Sequence, residues 1–461
     1  MIMPTVMKFG GTSVADAGAF ENVASIVGAR IKSNPVVVVS AMSGVTDALL
    51  ASTLIASEGR FNDAFSSLQN TFIRHKETAH QLLTHATANV YASRIEQAKK
   101  SIEELLRQLA VAPTEPRAIQ DSVLSLGETL SSALLAEVLK ERGIAATQTD
   151  ARECIITDED YGSAAPLMDQ TFEATQSKLV PLVENEVIPV LGGFIGSTLQ
   201  GQTTTLGRGG SDYTAAIAGA ALSAREIQIW TDVTGVLTAD PRVVPTAQTI
   251  ERLSYGEAAE LAYFGAKVLH PKTIQPAIED CIPVRICNSR TPDEAGTLVC
   301  AQTETTPRTV KAIAHKTGVT TVQITSARML GAYGFLRALF EVFEKHRTVV
   351  DVVTTSEVSV SLSLDDAKSL PAIVEDLETL GTVRVETGRA IICVVGEGLR
   401  GTPGIAARVF STISDINVTL ISQGASSINF TFAIEEEKVK EAVGRLHCAF
   451  FETEEAFAAS V

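Results

Sequence analysis

The sequence TTTLGRGGSDYTAAIAGAALSA runs from Thr203 to Ala224. Three threonines lead into Gly207, Gly209 and Gly210 around Arg208, and Ser211 and Asp212 then open an almost unbroken run of small apolar residues. Glycines lack a Cβ, so backbone N–H groups in such a loop can approach an anion closely. A helix that begins at Ser211/Asp212 turns its positive end toward the same place. The guanidinium fork of Arg208 suits a carboxylate or a phosphate. The stretch therefore predicts a glycine loop feeding a buried helix, with a small anionic substrate beside a phosphate donor. Taken alone it also fits a tight turn with a capped helix.

Near the N-terminus, KFGGTSV ends a strand over Thr5 to Phe9 and precedes a helix over Ala15 to Lys32. Gly10, Gly11 and the hydroxyls after them form a second anion cradle, with neither GxxxxGK[ST] nor GxGxxG present. Lys8 stands just before these glycines, where its ammonium can reach a transferring phosphoryl group; a surface lysine is the plainer alternative. Pro35 starts VVVVSAMSGVTDALL, a buried four-valine strand ending at Ser40. Ser40 and Thr46 follow at a carboxyl rim where open α/β sheets bind ligands, or else they cap the next helix.

Residues 61–110 read as helical scaffold, and Arg117 to Arg142 as a helix striped with Ile119, Val123, Leu126, Leu130, Leu134 and Val138. Gly127 interrupts it, at a cost of about 1 kcal/mol against alanine, which suggests a close approach to a ligand or another backbone. Glu128 beside it can meet a ligand ammonium or simply face solvent. Strands over Ala145 to Thr149, Val187 to Leu191, Ile227 to Thr231 and Ile282 to Cys287 alternate with helices and loops, the pattern of a parallel sheet. The turn-rich GGFIGS and WTDVTGVLTADPR place Thr231, Asp232 and Arg242 near one rim. A helix over Glu257 to Leu269 carries Lys267, and Gly296 to Arg308 reads as a polar linker.

The chain has 461 residues, enough for about three domains. It is 45% hydrophobic and 20% charged, the balance of a globular protein. With 38 Lys+Arg against 54 Asp+Glu, the net charge of -16 argues against nucleic-acid and anionic-membrane partners, and it raises the weight of each cation near a glycine loop. The N-terminus has no signal pattern and no apolar run approaches the ~18 residues of a membrane helix, so the expectation is a cytoplasmic protein. Six cysteines without CxxC spacing fit reduced thiols. His75, His80 and His85, five residues apart, do not stack on one helix face, and no metal site is expected.

After Lys311 one pattern occurs twice. GFLRALFEVF from Gly334 matches GIAARVFSTI from Gly404, and VDVVTTSEVSVSL from Val350 matches VTLISQGASSINF from Val418. Each copy reads strand, glycine turn, helix, strand, strand. Two α+β modules of about 70 residues imply a sensing or dimerisation unit. The glycines of GEGLRGTPG, from Gly396 to Gly404, read as a strand-to-helix turn of the second copy.

Together KFGGTSVAD, SAMSGVTD, the Gly127-Glu128 helix, GGFIGS, TLGRGGSDYTA, WTDV…DPR, FGAKVLHP and MLGAYGFL…TTSEVSVSL closely resemble aspartate kinase, from Lys8 to about Phe450. The resemblance implies an α/β three-layer sandwich around a mainly parallel sheet, the amino-acid-kinase fold, over 1–297. Two ferredoxin-like ACT modules follow over 309–385 and 386–461, the second open to insertion into the first with the C-terminal segment completing module 1. It implies ATP-dependent phosphorylation of the aspartate side-chain carboxylate to 4-phospho-L-aspartate, with Mg²⁺ carried by ATP, on the route to lysine, threonine and methionine.

Residue by residue, the resemblance puts Lys8 on the transferred phosphoryl group and Asp212 as its organiser. The nucleotide side takes Gly10, Gly11, Gly209, Gly210, Thr231, Asp232, Arg242 and Lys267. The aspartate side takes Ser40, Thr46, Glu128, Arg208 and Ser211, with Arg208 on the α-carboxylate and Glu128 near the α-ammonium. Leu237 stands where many relatives carry a tyrosine, which leaves the adenine contact open. ACT pairing implies a homodimer or larger homo-oligomer inhibited by an amino acid, most simply lysine, at Met329, Gly334, Phe335, Asp351, Thr355 and Ser356. Gly331 and Ala332 depart from some lysine-sensitive enzymes and keep threonine, or lysine with S-adenosylmethionine, as alternatives. Rival readings are a kinase for glutamate or acetylglutamate, and an amino-acid sensor with an inactive kinase domain.

Overall fold

The computed structural model describes residues 3–265, 269, 271–301 and 309–452. The chain divides into two compact units. The first comprises Met1–Val236, Glu251–Tyr255 and Leu269–Gln302. Its strands are β1 (Thr5–Phe9), β2 (Pro35–Val39), β3 (Ala146–Thr149), β4 (Ile156–Thr157), β5 (Ile188–Gly192), β6 (Ile195–Thr198), β7 (Thr203–Thr205), β8 (Glu226–Thr231), β9 (Arg252–Ser254), β10 (Val284–Asn288) and β11 (Thr297–Cys300). Eight of them form one sheet in the order β3-β5-β2-β1-β8-β10-β11-β9, while β4, β6 and β7 form a small sheet. From β3 to β10 every pairing is parallel.

Strands covered on both faces read as continuous apolar runs, and β2 is the clearest case, with Val36 to Val39 all fully buried. Met7, Phe9, Val37 and Val39 enter one core with the helices Ala17–Gly28, Val45–Ser57 and Pro116–Glu141. Val6 and Val38 are equally buried on the opposite face, where the helix Gly210–Ala221 packs against β1. The result is the expected three layers. The Pro116–Glu141 helix is long and apolar enough to cross a membrane, but 78% of its apolar window is buried inside the protein, which makes it a core helix. Gly127 lets it close on its neighbour: a Cβ there would lie 3.0 Å from Ala41 Cβ and 3.2 Å from Val45 Cγ1. The close approach is thus to another helix and its lead-in loop.

The expected polar linker over Gly296 to Arg308 is corrected in its first part. Thr297 and Val299 are fully buried, and β11 pairs antiparallel with β10 through Val284 and Val299. A four-residue strand with only one long apolar side chain facing the core carries too little periodicity to be read from sequence.

The second unit comprises Leu237–Ile250, Gly256–Val268 and Thr303–Val461. Its strands β12 (Ala312–Thr325), β13 (Val353–Thr355), β14 (Ser359–Leu364), β15 (Thr382–Val395), β16 (Leu420–Gln423) and β17 (Asn429–Glu435) form one antiparallel sheet in the order β13-β14-β12-β15-β17-β16. The two copies lie symmetrically about the central β12–β15 pair. Each starts its helix after a left-handed glycine, Gly334 (φ 84°) before Phe335–Lys345 and Gly404 (φ 88°) before Ile405–Thr412.

Two expectations change here. The insertion of copies is reversed: Val310 and Ile313 bury with Ile392, Phe430 and Phe432, and the C-terminal helix Val439–Phe451 adds Val443 and Leu446 to the same core. The second copy therefore owns both ends of the repeat region and the first is inserted into it. The kinase-like region is also not continuous to residue 297. Ala239 and Val244 join the Phe430–Phe432 core, and buried Glu257 pairs with buried Lys311 at 2.9 Å, so these stretches fold with the repeats.

Filling the space at Gly127 should be costly without touching any polar group. Gly127→Val overpacks the contact with Ala41, Val45 and Leu49 and should lose about 1–3 kcal/mol of stability in chemical denaturation, with the two-unit fold retained.

Candidate active site at the carboxyl rim of the parallel sheet

The loops that leave β1, β2, β5 and β8 are stitched together by backbone hydrogen bonds. Gly10 N donates to Trp230 O at 3.1 Å, Ser40 N to Phe9 O at 3.0 Å, and Gly193 N to Val39 O at 2.8 Å. Close approach needs glycine in two places. A Cβ on Gly11 would lie 3.0 Å from the Ala41 carbonyl, and one on Gly193 would lie 2.7 Å from Ser211 Cα, inside the first turn of the Gly210–Ala221 helix. The strand ends thereby press against the start of that helix. Gly207 (φ 72°) and Gly209 (φ 74°) supply the left-handed turns that aim its amino end at the rim.

A cleft of about 1080 Å³ opens there. It is lined by thirteen of the residues singled out from sequence: Lys8, Gly10, Gly11, Ser40, Thr46, Glu128, Arg208, Gly209, Gly210, Ser211, Asp212, Thr231 and Asp232. Ser40 and Thr46 are not caps, since Gly44 (φ 77°) takes the N-cap position of the following helix and no side chain caps it. The Ser40 carbonyl accepts a 2.7 Å hydrogen bond from Ser131 Oγ, which fixes the loop to the Pro116–Glu141 helix.

At the centre of the cleft Lys8 Nζ lies 2.6 Å from Asp212 Oδ1, both side chains largely buried. Lys8 sits mid-sheet, in register with Val38 on one side and Ile229 on the other. Asp212 is in the first helical turn, where a carboxylate is favoured by the helix dipole. Glu128 is 3% exposed, and burial pushes its carboxyl up to about 8 against the opposing pull of the Ala41 and Glu128 amides. Its Oε2 has no hydrogen-bond partner among the described residues. A buried carboxyl left half-satisfied and facing a cleft is suited to an incoming cation.

Two residues behave differently. Arg242 does not line the cleft; it belongs to the second unit, and its exposed guanidinium is forked onto Asp240 at 2.6–3.1 Å. Lys267 lies outside the described residues. The cleft also contains Asp121, which sequence reading missed although it lies seven residues before Glu128 and hence on the same helix face.

In the second unit, Asp351 is nearly buried, with 3% of its side chain exposed. Tyr263 Oη donates to its Oδ1, and Lys316 Nζ lies 3.6 Å from its Oδ2 while also pairing with Asp365. Burial and the neighbouring Asp365 carboxyl push Asp351 upward. Met329 and Phe335 pack on the first copy's core, and Ser356 Oγ bridges to Ser359 Oγ at 2.7 Å. Gly334 and Thr355 stand at the helix start and the end of β13. Among the histidines, His75 is a packed core residue bonded to Tyr91 Oη at 3.1 Å.

The profile of the amino acid kinase family matches residues 3–288, and that of the ACT domain matches residues 392–450. Lysine-sensitive aspartokinase 3 of Escherichia coli (strain K12) is 38% identical over 457 residues, which is 97% of this chain and 99% of that protein. Chloroplastic aspartokinase 3 of Arabidopsis thaliana is 40% identical over 471 residues, covering 99% and 83%. The crystal structure of E. coli aspartokinase III in complex with aspartate and ADP superposes with a TM-score of 0.81 at 38% identity, covering 97% of this chain and 100% of that one. With such identity spread over nearly the full length of both chains, and with the lysine, glycine loops and arginine gathered in one cleft, this chain belongs to the aspartokinase family.

Proposed function

We infer that the chain is a working aspartate kinase whose cleft divides into two half-sites on either side of Lys8. The observation that carries this is the Lys8–Asp212 pair at 2.6 Å, set between the two glycine loops and in the same cleft as Arg208 and Glu128. The nucleophile is a carboxylate with a reference pKa near 4, already ionised at neutral pH, so no general base is required. Catalysis then rests on alignment and on neutralising charge at the transferred phosphoryl group. Lys8 supplies the charge, Asp212 holds it in place, and the amides around Gly10, Gly11, Gly209 and Gly210 accept phosphate oxygens.

Thr231 and Asp232 extend the nucleotide side. Arg208 takes the α-carboxylate of aspartate and Glu128 its α-ammonium, with Ser40, Thr46 and Ser211 around the head group. Mg²⁺ enters as part of the MgATP substrate, held by phosphate oxygens and water. Burial pushes the thiols of Cys154, Cys287 and Cys393 each up to about 12, which leaves them protonated and unreactive near neutral pH.

Regulation belongs to the repeats. The E. coli relative is named lysine-sensitive, and one of its structures holds lysine and aspartate. We assign lysine as the effector here, with its ammonium at Asp351 and its carboxylate at the amino end of the Phe335–Lys345 helix, in a homodimer.

The reading is tested by ADP release measured with aspartate, glutamate and acetylglutamate in parallel: aspartate alone should support turnover, and turnover with only another acceptor would overturn it. Lys8→Ala should fold normally and lose roughly 100- to 1,000-fold in rate. The buried Glu128 carboxyl gives a pH signature. Its folded pKa of about 8 exceeds the ordinary carboxyl value, so the folded state keeps a proton that the unfolded chain releases. Its contribution therefore lowers stability as pH rises from about 4.5 to 8. Glu128→Gln should remove that decline, so its stability relative to wild type grows across this range while the KM for aspartate rises. Finally, saturating lysine should shift the apparent aspartate affinity of the wild type by roughly 5- to 150-fold, and Asp351→Ala should abolish the shift.

A further inference from the structure

Arg208 is exposed, and among the described residues no ion pair holds it, so its place in the cleft is set by the backbone that carries it. That backbone is anchored three residues earlier. Asp121, 1% exposed, accepts three hydrogen bonds: from Thr205 N at 2.9 Å and Gly162 N at 2.9 Å on Oδ2, and from Thr205 Oγ1 at 2.8 Å on Oδ1. The two anchored segments also bond to each other, with Ala164 N donating to Thr205 O at 2.9 Å. The Gly162 carbonyl lies 3.2 Å from the position a Cβ on Gly207 would take, so the Gly162 turn is seated directly against the loop that bears Arg208.

We propose that Asp121 is a positioning residue for substrate aspartate: by clamping Thr205 and Gly162 it fixes the Gly207–Gly209 turn and thereby the place of the Arg208 guanidinium. Asp121 and Glu128 stand seven residues apart in the Pro116–Glu141 helix, two turns or about 10.5 Å along one face. One rigid helix therefore carries both the group assigned to the α-ammonium and the anchor of the group assigned to the α-carboxylate. Loss of Asp121 leaves the buried Thr205 N–H and the part-buried Gly162 N–H without their acceptor, and the Thr205 N–H can recover one only if the loop moves. The proposal rests on the assignment of Arg208 to the aspartate α-carboxylate.

The test is steady-state kinetics of Asp121→Ala, Asp121→Asn, Arg208→Ala and the Asp121→Ala/Arg208→Ala double variant. Asp121→Ala should raise the KM for aspartate roughly 10-fold or more, a loss on the order of one buried hydrogen-bonding group, with the KM for ATP within about twofold of wild type. Asp121→Asn, whose amide oxygen can serve the two N–H groups while its NH₂ donates to Thr205 Oγ1, should recover most of that loss. The double variant should be no worse than Arg208→Ala alone. Thr205→Val, which removes only the hydroxyl donor, repeats the test at smaller amplitude if Asp121→Ala does not fold. Should Arg208→Ala act on the KM for ATP instead, the assignment of Arg208 fails, yet Asp121→Ala must still follow it onto the same substrate. Independent, additive effects of the two substitutions, or lower thermal stability with both KM values unchanged, would overturn the positioning role.

Discussion

The ion pair between Lys8 and Asp212 is the constraint on which the rest of the site depends. It joins the end of a central strand to the first turn of the helix that follows the second glycine loop, and so fixes the two glycine loops relative to each other. An ammonium held in this way is ready before the reaction and costs no reorganisation during it. Asp212 also stands in the first turn of its own helix, where the dipole favours a carboxylate beside Lys8. The glycines serve the same end: Gly193 lets the Gly210–Ala221 helix approach β5, and Gly11 lets the first cradle approach the loop after β2.

Much of this was legible because the signals are local. Four consecutive valines, a glycine pair after a short strand and a helix opening on Ser-Asp each dictate their own conformation, and β1 begins and ends where the sequence puts it. The rim followed from strand polarity alone, since parallel strands bring all their carboxyl ends to one edge. What escaped was carried by distant pairing. Asp121 looks like one more helix carboxylate until Thr205, 84 residues away, is seen to donate to it. Arg242 follows WTDV closely in sequence, but Ala239 and Val244 bury in a core made by Phe430 and Phe432, and that burial decides where the segment folds.

The repeats show the same division. The duplication was visible from GFLRALFEVF and GIAARVFSTI, yet its nesting was not. β12 runs through both copies: Ala312 to Lys316 pairs with Ile391 to Val395, and Val322 to Thr325 pairs with Thr382 to Val385, with a register shift around Val319 between the halves. One long strand thus belongs to two cores, and neither copy can complete its sheet without the other. Linkage of that kind ties the unfolding of one copy to that of the other.

In the proposed mechanism the carboxylate of aspartate attacks unaided, with charge at Lys8 as the catalyst and Asp212 as its support. The most direct measurement is the pH dependence of the single-turnover rate at saturating aspartate and MgATP, for wild type and Asp212→Asn. No acid limb is expected between about pH 6 and 8 in either enzyme, because the nucleophile is ionised well below that range and bound aspartate sets its α-ammonium against Glu128, holding that carboxyl ionised in the saturated complex, with Asp212→Asn slower by a constant factor. An acid limb in the wild type that disappears in Asp212→Asn would make Asp212 a general base and contradict unaided attack.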